Sequence, residues 1–307
     1  GRHVRVLTRD RSKLAQRAWL DQVDVVEGDA MDRGTLERAL SGTSTAYYLL
    51  HSMDGKPDFE RRDRAIALRF AQAAREAGVH RIVYLSGLHP ANVRLSAHLH
   101  SRKEVGDILM ASGVPTAVLQ AAVILGSGSA SFEMMRYLTR RLPAMVAPKW
   151  LRNRIQPIAV EDVLHYLTVA ADLPPELNRT FDIGGPDVLT YADMIRRFAT
   201  IDGLTPRVIA PVPVLTPWLA SHWVALVTPV PAAIAKPLVG SLIHEVICQE
   251  DDLVALTGPP PHGRTRFDDA VRQALAPRSG ADEERPEPGE VPPAQITAAD
   301  PDWAGGH

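Results

Sequence analysis

Apolar residues recur in short strand-like runs at 3–8, 23–27, 46–50, 81–86 and 116–125, separated by stretches of helical period. The clearest helix is 59–77, where Ile66, Phe70, Ala73, Ala74 and Ala77 share one face at 3.6-residue spacing. Gly78 follows as a stop. A second helix, 100–112, would bury Val105, Ile108 and Leu109 and end at Gly113-Val114-Pro115. Strands alternating with helices imply right-handed crossovers and a mostly parallel sheet. The strands are apolar on both faces, as a sheet covered on both sides requires. The fold class expected is α/β, a doubly wound parallel sheet over residues 1–125.

Beyond 125 the pattern loosens. The small-residue loop 126–131 leads into a helix over 132–141, a short strand at 155–159 precedes a helix at 161–171, and a strand at 180–183 ends in Gly184-Gly185-Pro186. Thr190 is placed to cap a helix over 191–200. Residues 208–235 carry no Lys, Arg, Asp or Glu; 28 residues would span a bilayer, but Pro211, Pro213, Pro217, Pro229 and Pro231 cannot share one straight helix. A spanning segment, a surface-dipping one, and a buried cap or partner interface all stay open. Residues 277–307 are rich in Pro, Gly and Ala, with seven acids against two arginines, and read as a disordered acidic tail. The expected organisation is therefore a core at 1–125, a small lobe interleaved with returning sheet elements at 126–276, and the tail.

Composition narrows the function. With 34 Lys+Arg against 36 Asp+Glu, no basic field argues for nucleic acid. The single cysteine, Cys248, excludes an internal disulfide framework and a cysteine-cluster metal site, and fits a reducing cytoplasm.

Two strand ends carry candidate chemistry. The run at 3–8 closes on Arg9, with Arg11 and Lys13 following. Beside a nucleotide ribose, an acid at such a strand end favours NAD, whereas an arginine meets the 2′-phosphate of NADP through paired charge-assisted bonds. A solvated turn is the ordinary alternative. The next strand ends in Gly28-Asp29, where a carboxylate can accept from an adenine amino group or simply start a turn.

Several separated stretches together resemble the short-chain dehydrogenase/reductase superfamily in its atypical and extended branches. They are residues 4–9, Glu27-Gly28-Asp29, the run 47–53, 81–88, 157–163, and Phe181 to Pro186 with Leu189-Thr190-Tyr191. Residues 101–106 and 126–133 add a likeness to bacterial NAD(P)H-binding proteins of the NmrA-like and complex-I-accessory-subunit-like kind. The resemblance implies a Rossmann-like sheet of order 3-2-1-4-5-6 and NADP as cofactor, with NAD the alternative. It implies Arg9, Asp29, Leu50, His51, Ser86, Lys103 and Ala122 around the coenzyme, with Ser86, Lys103 and His51 as the catalytic set.

Two departures stand out. The family opens with a strand, a glycine-rich loop and a helix that hold the pyrophosphate, and all of that lies upstream of Gly1. The expectation is an N-terminally truncated start, poor folding unless another segment fills the central slot, and weak dinucleotide affinity. The loop 126–131 joins a strand to a helix but follows the sixth strand of the full fold, which argues against it as a substitute. The family's Tyr-x-x-x-Lys pair is also broken: Lys103 is present, but Leu99 stands four before it. His98 and His100 flank that position; a histidine there can act as an acid or base near neutral pH, but His100 lies only three before Lys103, one helical step off, and an ordinary helix-start residue is the preferred reading.

The leading functional expectation is a cytoplasmic NAD(P)-binding oxidoreductase-like protein moving hydride to or from a small carbonyl or alcohol held after residue 125. Alternatives are a non-catalytic NADP sensor, a membrane-peripheral or complex-assembly protein using 208–235, and a sugar-nucleotide epimerase-like enzyme, against which Leu99 argues.

Overall fold

A computed structural model describes residues 2–52, 58–90, 93, 95–212, 224–276 and 300–304. In chain order the elements are β1 (Arg5–Thr8), β2 (Asp24–Glu27), α1 (Arg33–Leu40), β3 (Thr45–Tyr48), α2 (Phe59–Glu76), β4 (Arg81–Gly87), α3 (Ala97–Met110), β5 (Thr116–Ala121), β6 (Ile124–Leu125) and α4 (Ala130–Arg141). There follow β7 (Ala144–Pro148), β8 (Arg154–Ile155), β9 (Ile158–Ala159), α5 (Val160–Ala170), β10 (Arg179–Ile183), β11 (Leu189–Thr190), α6 (Tyr191–Ile201) and β12 (Val208–Val212). Three helices close the described chain: α7 (Ala232–Ser241), α8 (Asp252–Thr257) and α9 (Phe267–Leu275).

The centre is a parallel four-stranded sheet of order β10-β5-β4-β3. Alternation along β4 covers both faces. Ile82 and Tyr84 pack with Ala67 and Phe70 of α2 and Val105 and Leu109 of α3. Val83 packs oppositely with Val163, Tyr166 and Leu167 of α5 and Phe181 of β10. Two-sided burial is what the unbroken apolar strands anticipated, and it makes the fold a three-layer α/β sandwich of Rossmann type. Gly78, at φ 70°, takes the left-handed turn after α2.

β1 and β2 form a separate parallel pair, joined to the rest through α1, which packs on α2. Within the described residues β1 pairs only β2, and β3 pairs only β4. No described strand lies between the two sheets.

Several boundaries move for local reasons. α3 begins at Ala97, not 100, because Ser96 caps it, its Oγ accepting from Leu99 N at 3.3 Å. The run 116–125 divides into β5, which stays central, and β6, which turns to pair β9. The segment 155–159 likewise divides into β8 and β9. Arg81 begins β4 almost fully buried; its guanidinium donates to the carbonyls of Leu173, Pro174 and Leu177 at 2.6–2.8 Å, fastening the α5–β10 connection beneath the sheet.

The charge-free stretch does not act as one unit. Val208–Val212 is β12, parallel to β7, residues 232–235 open α7, and 213–223 lie outside the described residues. No helix among the described residues is long and apolar enough to cross a membrane. Of the tail, 277–299 and 305–307 lie outside the described residues, but 300–304 dock onto the fold. Asp300 pairs with Arg17 at 2.8 Å, Trp303 packs beside Met134 and Leu138, and Ala304 is buried. The Tyr137 hydroxyl also donates to Trp303 O at 3.4 Å, so ion pairing, hydrogen bonding and apolar packing hold this short segment despite its acidic context.

Candidate functional site

The carboxyl ends of the parallel strands bring most of the sequence-derived residues to one edge of the sheets. At the end of β1, the Thr8 hydroxyl donates to Asp10 O at 3.0 Å, and Asp10 accepts from Ser12 N at 2.9 Å. Those Ser12 bonds, from its hydroxyl first and its amide second, hold the Asp10 carboxyl below its ordinary value. The turn is thus fixed by its own side chains. Arg9 projects from it, exposed, with no hydrogen bond or ion pair among the described residues. At the end of β2, Gly28 passes so close to α1 that a Cβ would collide with the Thr35 side chain. Exposed Asp29 accepts from Met31 N at 2.8 Å.

After β3, Leu49 and exposed Leu50 lead to a half-buried His51. Its Nδ1 lies 3.6 Å from Oδ2 of Asp63 on α2. Asp63 is 4% exposed and also accepts from Ser52 N at 3.0 Å and from the Ser101 hydroxyl at 3.1 Å. The other face of His51 meets His98, ring centres 5.0 Å apart. Burial lowers the pKa of His51, Asp63 opposing; burial, the neighbouring His51 and the Arg102 charge push His98 down to about 3. Both imidazoles are therefore neutral near pH 7, and Nε2 of His51 is buried with no hydrogen-bond partner among the described residues.

On β4, Ser86 is 3% exposed, and its buried Oγ neighbours the Tyr84 hydroxyl without a well-formed hydrogen bond among the described residues. Arg102 from α3 donates to the adjacent Leu85 carbonyl at 2.6 Å and lies over the Tyr84 ring, whose hydroxyl donates to Arg102 O at 3.2 Å. The same guanidinium charge bears on both histidines. His51, His98, Asp63, Ser101, Arg102 and Tyr84 thus form one polar cluster between α2, α3 and the sheet.

Lys103 is not drawn into that cluster. Its Nζ pairs with Asp107 one turn along α3 at 2.6 Å and it stays exposed. Leu99 is buried against Gly87. Ala122, between β5 and β6, packs against the core that contains Leu88 and Val123. The loop 126–131 is no anion cradle: the amide of Gly128 already donates to the buried Glu133 carboxylate at 2.8 Å, itself paired with Arg136.

His98 differs from its sequence reading as an ordinary helix-start residue, because Ser96 opens α3 early and rotates position 98 inward; His100 stays exposed, 3.7 Å from Glu60. Asp63 escaped the sequence reading altogether. Its signal was a carboxylate on the apolar face of α2, in line with Ala67, Phe70 and Ala74.

The residues present suit a dinucleotide at its two ends. A free guanidinium and a carboxylate lie at the first strand pair, and a buried serine hydroxyl lies where β4 ends. A family model described as NAD(P)H-binding matches residues 1–124. The chain is 26% identical over 212 residues to the mitochondrial NADH dehydrogenase [ubiquinone] 1 alpha subcomplex subunit 9 of Mus musculus, a match covering 67% of this chain and 54% of that protein. It thus spans about half the length of this curated relative. Among solved structures, the triphenylmethane reductase of Citrobacter sp. superposes at TM-score 0.67, 19% identical over 88% of this chain and 89% of the other. The NADPH-dependent quinone oxidoreductase of Escherichia coli, complexed with NADPH, superposes at 0.66, 18% identical over 89% and 90%. Residues 1–124 are an NAD(P)H-binding domain, and the fold is that of NAD(P)-binding reductases.

Proposed function

We propose that the protein reduces a small carbonyl compound with hydride from NADPH, residues 1–125 holding the coenzyme and 126–276 the substrate. The observation that carries the coenzyme preference is Arg9, an unengaged guanidinium at the carboxyl end of β1. Such a group suits a ribose 2′-phosphate and gains nothing from a 2′-hydroxyl. Asp29 would face the adenine, and Leu50, His51 and Ala122 would line the path towards the nicotinamide. The bound coenzyme supplies the hydride.

The protein's own part is to polarise and protonate. Ser86, whose buried hydroxyl neighbours that of Tyr84, would turn its O–H towards a developing alkoxide. His51, oriented by Asp63, would carry the proton, and Lys103 would contribute positive charge. Leu99 takes the place of the family's usual proton donor, which favours slow turnover.

NADPH and NADH titrations, followed by NADPH oxidation over a panel of carbonyl compounds, test the reading. Tighter NADPH binding with turnover supports it. Tight binding without turnover converts it to an NADP sensor, and a preference for NADH removes it.

The likeness to a complex I subunit favours a second reading, a membrane-peripheral or assembly role using 208–235. Co-sedimentation with liposomes, lost when Trp218 and Trp223 are changed to Ser, supports it.

A further inference from the structure

Three neighbouring strands of the central sheet carry a polar residue at the same level. Ser86 of β4 stands in register with Gln120 of β5, and Gln120 with Asp182 of β10. Each is the last residue but one of its strand. Registered neighbours in a parallel sheet point to the same face, on strands about 4.8 Å apart. Two residues earlier, that face carries Tyr84 and Val118, which lie against Gly106 of α3. The row therefore lies on the α3 side, at the carboxyl edge where open α/β sheets take their ligands. All three residues are buried.

The three differ in what they hold. Asp182 is turned to the segment before α8: it accepts from Gln249 N at 2.8 Å, and its own amide donates to Glu250 at 2.6 Å. The Ser86 hydroxyl only neighbours that of Tyr84. Gln120 Nε2 lies 3.2 Å from Nε2 of half-buried His89, two residues past β4, and the side chain bonds no other described residue. Burial first, and the charge of Lys103 second, lower the His89 pKa, so the ring is neutral at pH 7 and Nε2 can accept. A primary amide has two N–H groups, so one is left over. Rotating the amide so that Oε1 accepts from an Nε2–H would leave both. As placed, Gln120 Oε1 has no partner among the described residues and is reached by solvent, so the tip of this buried side chain borders accessible space.

We infer that Gln120 is a second hydrogen-bond donor to the substrate's carbonyl oxygen, acting beside Ser86, and that His89 is the positioning residue that aims its amide. Donors on strands about 4.8 Å apart can both reach one oxygen between them at roughly 2.7–3.1 Å, the distance that stabilises a developing oxyanion. A hydride reaches the carbonyl carbon from the reduced coenzyme, the π pair of the C=O bond moves to oxygen, and the proton comes from His51. The carbonyl ends as an alcohol and the coenzyme as NADP⁺, while Ser86 and Gln120 keep their protons. Leu99 supplies no donor to that oxygen, and a residue of β5 does so instead. The inference rests on the reductase reading for the nature of the oxygen that is held.

Gln120→Met and His89→Leu test it, with His89→Gln as the conservative replacement that keeps an acceptor near the place of Nε2. The first readout is the infrared carbonyl stretch of cyclohexanone, carbon-13-labelled at its carbonyl, bound to the NADP⁺-loaded protein. It should lie at lower wavenumber in the wild type and His89→Gln than in Gln120→Met and His89→Leu. The second is NADPH oxidation with cyclohexanone. Gln120→Met should lower kcat by about 10²–10³ with KM nearly unchanged, His89→Leu should lower it less, and His89→Gln should restore most of that loss. No band from bound ketone, the same stretch in the wild type and Gln120→Met, or an effect of Gln120→Met on KM alone each overturns the inference. A wild type that binds the ketone with a lowered stretch but oxidises no NADPH removes the reductase reading and leaves the two donors as a carbonyl-binding site.

Discussion

Asp63 Oδ2 lies 3.6 Å from His51 Nδ1, joining a carboxylate from the middle of one helix face to an imidazole at the end of a strand. Asp63 also accepts from Ser52 N and Ser101, so a single buried carboxylate ties the β3 end, α2 and α3 together. Replacing it with Asn leaves at least one of these donors unmatched. Asp63→Asn should cost on the order of 2 kcal/mol, read as a lower urea midpoint with an unchanged slope.

Acid should loosen the same corner. An unfolded chain protonates histidine near about pH 6.5, whereas folded His98 waits until about 3. Between those values the unfolded state binds more protons, so the contribution is complete above about 6.5 and declines as pH falls. His51 is shifted in the same direction. Each histidine contributes a slope of at most about 1.4 kcal/mol per pH unit. Asp63 acts lower: burial raises its pKa, but bonds from His51 and Ser52 outweigh that and hold it below the usual value. Its contribution is present above about pH 4 and lost only beneath it. Thermal unfolding from pH 7.5 to 5 should show a falling midpoint that His98→Gln flattens; an identical slope in the variant would refute the assignment.

Arg9→Ala should weaken NADPH about tenfold to a hundredfold, the worth of charged hydrogen bonds, and leave NADH unchanged. Equal losses for both coenzymes would place the guanidinium elsewhere than at the 2′-phosphate.

Ser86→Ala separates chemistry from stability. Removing a buried hydroxyl that makes no well-formed hydrogen bond and only neighbours that of Tyr84 should leave the melting temperature nearly the same. Turnover should fall by about 10²–10³ if the hydroxyl meets developing negative charge.

Lys103→Ala should abolish NADPH oxidation with little change in stability, because an exposed ion pair one turn apart contributes only about 0.3–0.5 kcal/mol. Full activity in this variant would confine Lys103 to its pairing with Asp107.

Much of the sheet was legible because periodicity reports burial. Ile82, Val83 and Tyr84 alternate between two covered faces, and Ile66, Phe70 and Ala74 follow a helical stripe. Strand-end residues such as Arg9, His51 and Ser86 were visible for the same reason, since a parallel strand's end is a known place in the fold. The pairing of β7 with β12 was not visible. It joins segments some sixty residues apart, and Val208–Val212 looked like part of a longer apolar run.

The amino-acid order by itself determined the layered α/β architecture and the strand ends that present Arg9, Asp29 and Ser86, because burial on alternating faces is written residue by residue. Only the tertiary structure decided that Asp63 orients His51, and that His98 turns inward while Lys103 turns to Asp107. Each of these depends on which helix face meets which neighbour, and that is set by packing among elements distant in the chain.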